Sequence, residues 1–159
     1  MNLPDLNPDF QDLIACLAEH RVEFVIVGGY ALAFHGVARY TEDIDVFFTR
    51  KRENVLRLQL ALKQFGVTLS DNEAEELTQP DRFLTFGSSP RAVDLLNKIT
   101  GIEFDEIYVR SDSVTLGGID VKILGLEDLV RTKRAVRRPK DLQDLEALRK
   151  LHGKLPGDS

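Results

Sequence analysis

Hydrophobic positions in this chain change period several times. Phe10, Leu13, Ile14 and Leu17 recur at helical spacing, and Asn7-Pro8 before them reads as a helix start with proline at the first helical position. "VEFVIV" (22–27) is a continuous apolar run of strand length, broken by Gly28-Gly29. "YALAFH" predicts a short helix that Gly36 can end, "IDVFF" (44–48) a second strand, and "RENVLRLQLALKQF" (52–65) an amphipathic helix stopped by Gly66. "VTL" predicts a brief strand, and the polar "SDNEAEELTQPD" (70–81) a loop. "RFLTFG" and "RAVDLL" predict two strands around the turn "SSP", and "VTLGGIDVKIL" (114–124) a hairpin around Gly117-Gly118. Two helices, "LEDLVRTKRAV" and "KDLQDLEALRKL", close the chain, and "GKLPGDS" predicts a frayed tail. Strands and helices mix without strict alternation and without a repeat. The expected architecture is α+β: one domain over 1–152 with a mixed sheet and helices packed on it, and a flexible tail over 153–159.

At 159 residues the chain is long enough for one domain with a real core. Cys16 is the only cysteine, which excludes an internal disulfide. "MNLPDLNPDFQD" lacks the basic-then-apolar pattern of a secretory leader, and no apolar run is of spanning length. The expected setting is reducing and cytoplasmic. The net charge of -5 argues against a general nucleic-acid coat protein. Charge is unevenly placed, however: "RTKRAVRRPK" (131–140) is basic with no acid in it, and such a face suits a phosphate-bearing ligand.

Gly28-Gly29 lie between a predicted strand and a predicted helix. Glycine allows a tight turn and close approach of a ligand, and a helix start offers free N–H groups to an anion. A plain strand-to-helix turn explains the pair equally well. Neither the G-x-x-x-x-G-K-[ST] loop nor G-x-G-x-x-G is present. Asp43 and Asp45 are two residues apart on a strand, so they point to one face. Like charges held together repel, and burial adds a desolvation cost. A hard divalent cation removes both problems; a strand edge where the acids meet water or arginine is the alternative. Asp94 is the single acid in the apolar strand "AVDLL" and needs a partner. Beside "DIDVFF" it would complete a three-carboxylate cluster suited to two cations; otherwise it pairs with Arg91 or Arg39.

Gly28-Gly29, then Arg39-x-Thr41-x-Asp43-x-Asp45, then Asp94 resemble the DNA-polymerase-β-like nucleotidyltransferase superfamily. "GGYALAFHGVARYTEDIDVFF" is most similar to its small bacterial branch of minimal nucleotidyltransferases, abortive-infection-type toxins and lincosamide-type antibiotic nucleotidyltransferases. "LEDLVRTKRAVRRPKDLQDLEAL" is similar to that branch too, where a lysine on one helix and a Lys-Asp pair opening the next are common. The resemblance covers most of residues 20 to 150. It implies a mixed-sheet core and transfer of a nucleoside monophosphate from an NTP, dependent on Mg²⁺ or Mn²⁺. Gly28 and Gly29 would hold the triphosphate, Asp43 and Asp45 both ions, and Asp94 the catalytic ion while helping to deprotonate the acceptor hydroxyl. Many relatives have Gly-Ser where Tyr30 follows Gly29 here, so that phosphate contact must come from backbone N–H groups. The chain has no room for a large acceptor-binding domain.

Among the other candidates, Arg39 suits a phosphate clamp or a salt bridge, and Thr41 a strand entrance near the nucleotide. Lys133 is the basic residue expected at the triphosphate, its stem following a buried face; Arg131, Arg134, Arg137 and Arg138 read as a solvated helix face. Asp141 suits the helix dipole, His35 either the site or a helix end, and Cys16 the core. Tyr30 and Tyr40 read as packing or as stacking groups. The expected function is transfer to a hydroxyl of a protein, of an RNA 3′ end such as that of a tRNA, or of a small molecule. The alternative is a non-catalytic antitoxin or regulator with the same fold, binding a toxin or antitoxin partner or nucleic acid. An RNA-binding module using 131–140 is a third reading.

Overall fold

The computed structural model describes residues 6–37, 43–88 and 91–158. Arg39, Tyr40 and Thr41 lie outside the described residues. The elements follow in the order α1 (Pro8–Glu19), β1 (Phe24–Val27), α2 (Gly28–Phe34), β2 (Ile44–Phe48), α3 (Arg52–Phe65), α4 (Asp71–Glu76), β3 (Phe83–Phe86), β4 (Val93–Leu96), α5 (Phe104–Arg110), β5 (Asp112–Leu116), β6 (Ile119–Ile123), α6 (Leu126–Val136) and α7 (Pro139–His152). They form one six-stranded mixed sheet in the order β3-β4-β2-β1-β6-β5. β2 runs antiparallel to β1 and parallel to β4, and β3 is an antiparallel edge beside β4.

Local chemistry accounts for the element ends. The Asn7 side chain accepts the Asp9 N–H (2.8 Å) ahead of Pro8, which starts α1. Gly66 ends α3 in the left-handed region at φ 113°, a conformation that costs glycine little. α1 and α3 pack on each other. Phe86 of β3 meets Phe65 of α3 at 6.1 Å between ring centres. On the opposite sheet face Phe47 of β2 meets Phe104 of α5 edge-on at 5.2 Å. Helices therefore cover both faces. Phe10, Leu13, Ile14, Leu17, Phe47, Phe48, Leu58 and Leu62 are fully buried in that core. Each such side chain contributes about 1.5–3 kcal/mol of hydrophobic stabilisation.

Three expectations are corrected. Residues 70–81 are not wholly loop: Ser70 and Glu73 form a reciprocal capping box (3.1 and 3.0 Å) that starts α4. The segment "VTL" is not a strand. Residues 153–158 are not a free tail, because Leu155 is buried and Asp158 is bound by Arg134 and Arg149. None of the helices among the described residues is long and apolar enough to cross a membrane.

Candidate active site

The site is built on one row across the sheet. Val27 is paired with Asp45, Asp45 with Asp94, and Asp94 with Thr85, so β1, β2, β4 and β3 present adjacent positions in turn. Side chains at paired positions share a face. Asp45 and Asp94 thereby come together across the parallel β2–β4 pair and are hydrogen-bonded to each other. The Thr85 hydroxyl donates to Asp94 Oδ1 at 2.6 Å. Asp43 stands just before β2, and its Oδ1 accepts the Ala92 N–H at 2.9 Å. Burial first, then the hydrogen bond and charge of Asp94 and the charge of Asp43, push the Asp45 carboxyl up to about 7; Lys140 pulls the other way.

Gly28 closes one end of this row. It adopts φ 67°, and a Cβ built there would lie 2.1 Å from Asp45 Oδ2. Only glycine leaves the Asp45 carboxylate where it is. Gly29 follows in the first turn of α2. The glycine turn and the carboxylates are therefore one construction.

α6 and α7 wall the site. A cleft of about 480 Å³ is lined by Gly28, Asp45 and Asp94 together with Leu129, Thr132 and Lys133 of α6 and Arg138 and Asp141 at the start of α7. Lys133 lines the cleft, but it is neither a solvated face nor a lone cation. Its ammonium donates to Asp144 Oδ2 at 2.8 Å and lies 3.5 Å from Asp141. Arg138 caps α7 and donates through Nε to Asp141 (2.8 Å), which also accepts the Arg138 backbone N–H. That hydrogen bond, with the adjacent Arg138 and Lys133 charges, holds the Asp141 carboxyl down at about 2.

Several other expectations resolve. Arg131 binds Asp128 and Glu127, and Arg134 binds the C-terminal segment, so neither reaches the cleft lining. His35 is buried, and its Nε2–H donates to the Leu124 carbonyl (2.7 Å). Tyr30 and Cys16 are core residues. Sequence reasoning missed Thr85 and Lys98, both in the cleft lining. The period-2 alternation of "FLTF" identifies Thr85 as sharing a face with Phe83; nothing in the sequence marks Lys98.

The residues present suit a hard divalent cation in part. Asp45 and Asp94 supply adjacent oxygen donors, and a cation between them would offset the charge repulsion that helps to raise the Asp45 carboxyl. Among the described residues, however, no group of three or more His, Cys, Asp or Glu side chains is arranged to hold a metal ion. Asp43 is engaged at the Ala92 N–H, and its charge also acts on Asp45.

The fold that sets two carboxylates beside a left-handed glycine is a six-stranded mixed sheet flanked by helices. Two solved structures share it. The solution structure of the antibiotic-resistance factor ANT(2'')-Ia matches with a TM-score of 0.55 at 15% identity, over 91% of this chain and 83% of that one. The crystal structure of ANT(2'')-Ia in complex with adenylyl-2''-tobramycin matches with a TM-score of 0.53 at 15% identity, over 91% and 87%. No curated protein sequence matches. The family described as "Nucleotidyl transferase of unknown function (DUF2204)" matches residues 7–157, and the chain belongs to that family.

Proposed function

We propose that this protein is a Mg²⁺-dependent enzyme that moves the nucleoside monophosphate of an NTP onto an acceptor hydroxyl. The observation that carries this reading is the in-register Asp45–Asp94 pair beside Gly28 on the floor of a cleft. The acceptor oxygen forms a bond to the α-phosphorus as the bond to the bridging oxygen of pyrophosphate breaks. Asp45 and Asp94 would hold the ions, and Asp43 would join them if its bond to Ala92 opened. Bound there, a divalent cation would supply Lewis-acid polarisation of the α-phosphate and offset its charge. Gly28 and Gly29 let the backbone approach the triphosphate, and Asp94 would receive the acceptor proton. Lys133 would contact phosphate while Asp144 fixes its position; Arg39 and Thr41 are proposed to complete the phosphate contacts. Positioning supplies most of the rate. The acceptor search covers protein side chains, RNA 3′ ends and small-molecule hydroxyls, the last supported by the crystal structure of ANT(2'')-Ia in complex with adenylyl-2''-tobramycin.

The test is calorimetric titration of the four NTPs, with Mg²⁺ and with chelator, into wild type and Asp43→Asn/Asp45→Asn. Mg²⁺-dependent binding in wild type that the double variant loses is the expected result. A folded wild type that binds no Mg²⁺–NTP would sink the enzyme reading and favour a non-catalytic partner protein.

A further inference from the structure

The row of carboxylates has an apolar neighbour. Two residues further along the same strands, on the same sheet face, stand Phe47, Leu96 and Phe83, with Leu96 paired to both Phe47 and Phe83. Two residues of strand separate the rows by about 7 Å. Phe47 is fully buried under Phe104, whereas Phe83 is 75% exposed. Leu96 and Phe83 both line the cleft that holds Asp45 and Asp94, with Ile99 beside them. A phenyl ring left this open on the wall of a polar cleft forgoes burial that β3 secures elsewhere: Leu84 and Phe86 of the same strand turn to the core.

The backbone that carries the ring is pinned where it enters β3. Asn97 accepts the Arg82 N–H (2.8 Å) and donates to the Leu77 and Gln79 carbonyls (3.0 and 2.8 Å). Asn97 N–H reaches the Arg82 carbonyl at 3.1 Å. The chain entering β3 is pinned immediately before Phe83. An exposed aromatic on a pinned strand offers its face to a flat ring.

Which ring lies there follows from phosphorus geometry. In an in-line displacement the attacking and leaving oxygens are opposite one another, and the ribose oxygen leaves the α-phosphorus at right angles to that axis. Gly28, Asp45, Asp94 and Thr85 succeed each other across the strands. With pyrophosphate at the Gly28 end, the reaction axis crosses the strands. A ribose that leaves along the strands, rather than away from the sheet, runs from the carboxylate row to the row of Leu96 and Phe83. We propose that Phe83, backed by Leu96, is the floor on which the nucleobase of the donor NTP stacks. This assignment rests on the nucleotidyl-transfer reading above.

The chain contains no tryptophan, which makes Phe83→Trp a reporter with a single indole. Mg²⁺–ATP and Mg²⁺–tripolyphosphate are titrated calorimetrically into wild type and Phe83→Ala. Stacking predicts that wild type prefers ATP to tripolyphosphate by about tenfold or more. It also predicts that Phe83→Ala loses that preference while keeping its tripolyphosphate affinity, and that ATP, but not tripolyphosphate, quenches Phe83→Trp. If Phe83→Ala binds ATP as tightly as wild type, or if wild type binds both ligands equally, the base floor is wrong while the phosphate site stands. If wild type binds neither tripolyphosphate nor any of the four NTPs with Mg²⁺, the transfer reading fails with it.

Discussion

Two groups of acids in this molecule are treated in opposite ways. Asp128, Asp141 and Asp144, on α6 and α7, are each about 1% exposed. Asp128 receives a two-pronged Arg110 guanidinium (2.8 Å to each oxygen) and Arg131; Asp141 receives Arg138; Asp144 receives Lys133. The Asp45–Asp94 pair is matched mainly with itself and with Thr85. The result is visible in the protons: Asp141 is held at about 2 and Asp45 is pushed to about 7. Acids that stabilise a fold come with their cations. Acids set against each other in a cleft hold a proton more tightly instead.

The largest effects should come from breaking the unmatched pair. Asp94→Asn and Asp45→Asn are each expected to lower nucleotidyl transfer by about a thousandfold or more. The same Asp45→Asn change should make the metal-free protein more stable at pH 8, by about 2 kcal/mol, because it removes a charge the fold opposes. Thermal unfolding with chelator and an α-labelled NTP assay read the two quantities. An Asp45→Asn protein that is less stable than wild type at pH 8 would contradict the repulsion argument. Gly28→Ala belongs here too. Its methyl would displace the Asp45 carboxylate, so it should lose transfer activity while the fold survives.

Next in size is removal of a cation from the matched group. Lys133→Ala leaves Asp144 and Asp141 buried without the ammonium between them. Breaking a buried pair on one side costs about 3–5 kcal/mol, and the 13% exposure of Lys133 points to the lower figure. Denaturant unfolding at pH 7 measures it. If Lys133→Ala costs under about 1 kcal/mol, water already replaces the lysine and the contrast between the two groups is overstated.

What could be read in advance divides along the same line between local and distant partners. α3 and α6 follow from 3.6-residue apolar spacing over more than ten residues, and both ends match the structure. α4 carried its own signal, the Ser70-x-x-Glu73 box, which the polar composition of the segment concealed. α5 is one short helix of 7 residues, too few turns for a period to emerge. The glycine pair, Asp43 and Asp45 were legible as candidates because they are close in sequence. The pairing of Asp45 with Asp94 was legible only as a possibility of adjacency, since the register of a parallel pair is set by the whole sheet. The C-terminal segment was misread because the residues that hold it, Arg134 and Arg149, act through tertiary contacts that no local pattern encodes.

The smallest effects are in pH dependence, and the two groups should titrate with opposite signs. Asp45 has a folded pKa of about 7, above the usual carboxyl value, so the folded state binds more protons than the unfolded state between about pH 4 and 7. Its contribution is present below pH 4 and is lost as pH rises through 7. With chelator present, stability should therefore decline across that window, and saturating Mg²⁺ should offset the decline by about 2–3 kcal/mol at a hundredfold excess over its dissociation constant. Asp141 has a folded pKa of about 2, below the unfolded value. Its contribution is present above about pH 4 and is lost as pH falls through 2. Because Arg138 is 66% exposed, water screens that pair and the loss should be about 1 kcal/mol. Asp141→Asn should then cost about that much at pH 7 and almost nothing at pH 2, whereas Asp45→Asn should be near neutral at pH 4 and stabilising at pH 8. Two unfolding series across pH, one per variant, test the pair of signs together. Curves that bend the same way would mean that both carboxylates sit in similar fields, and the contrast between the two groups would lose its physical basis.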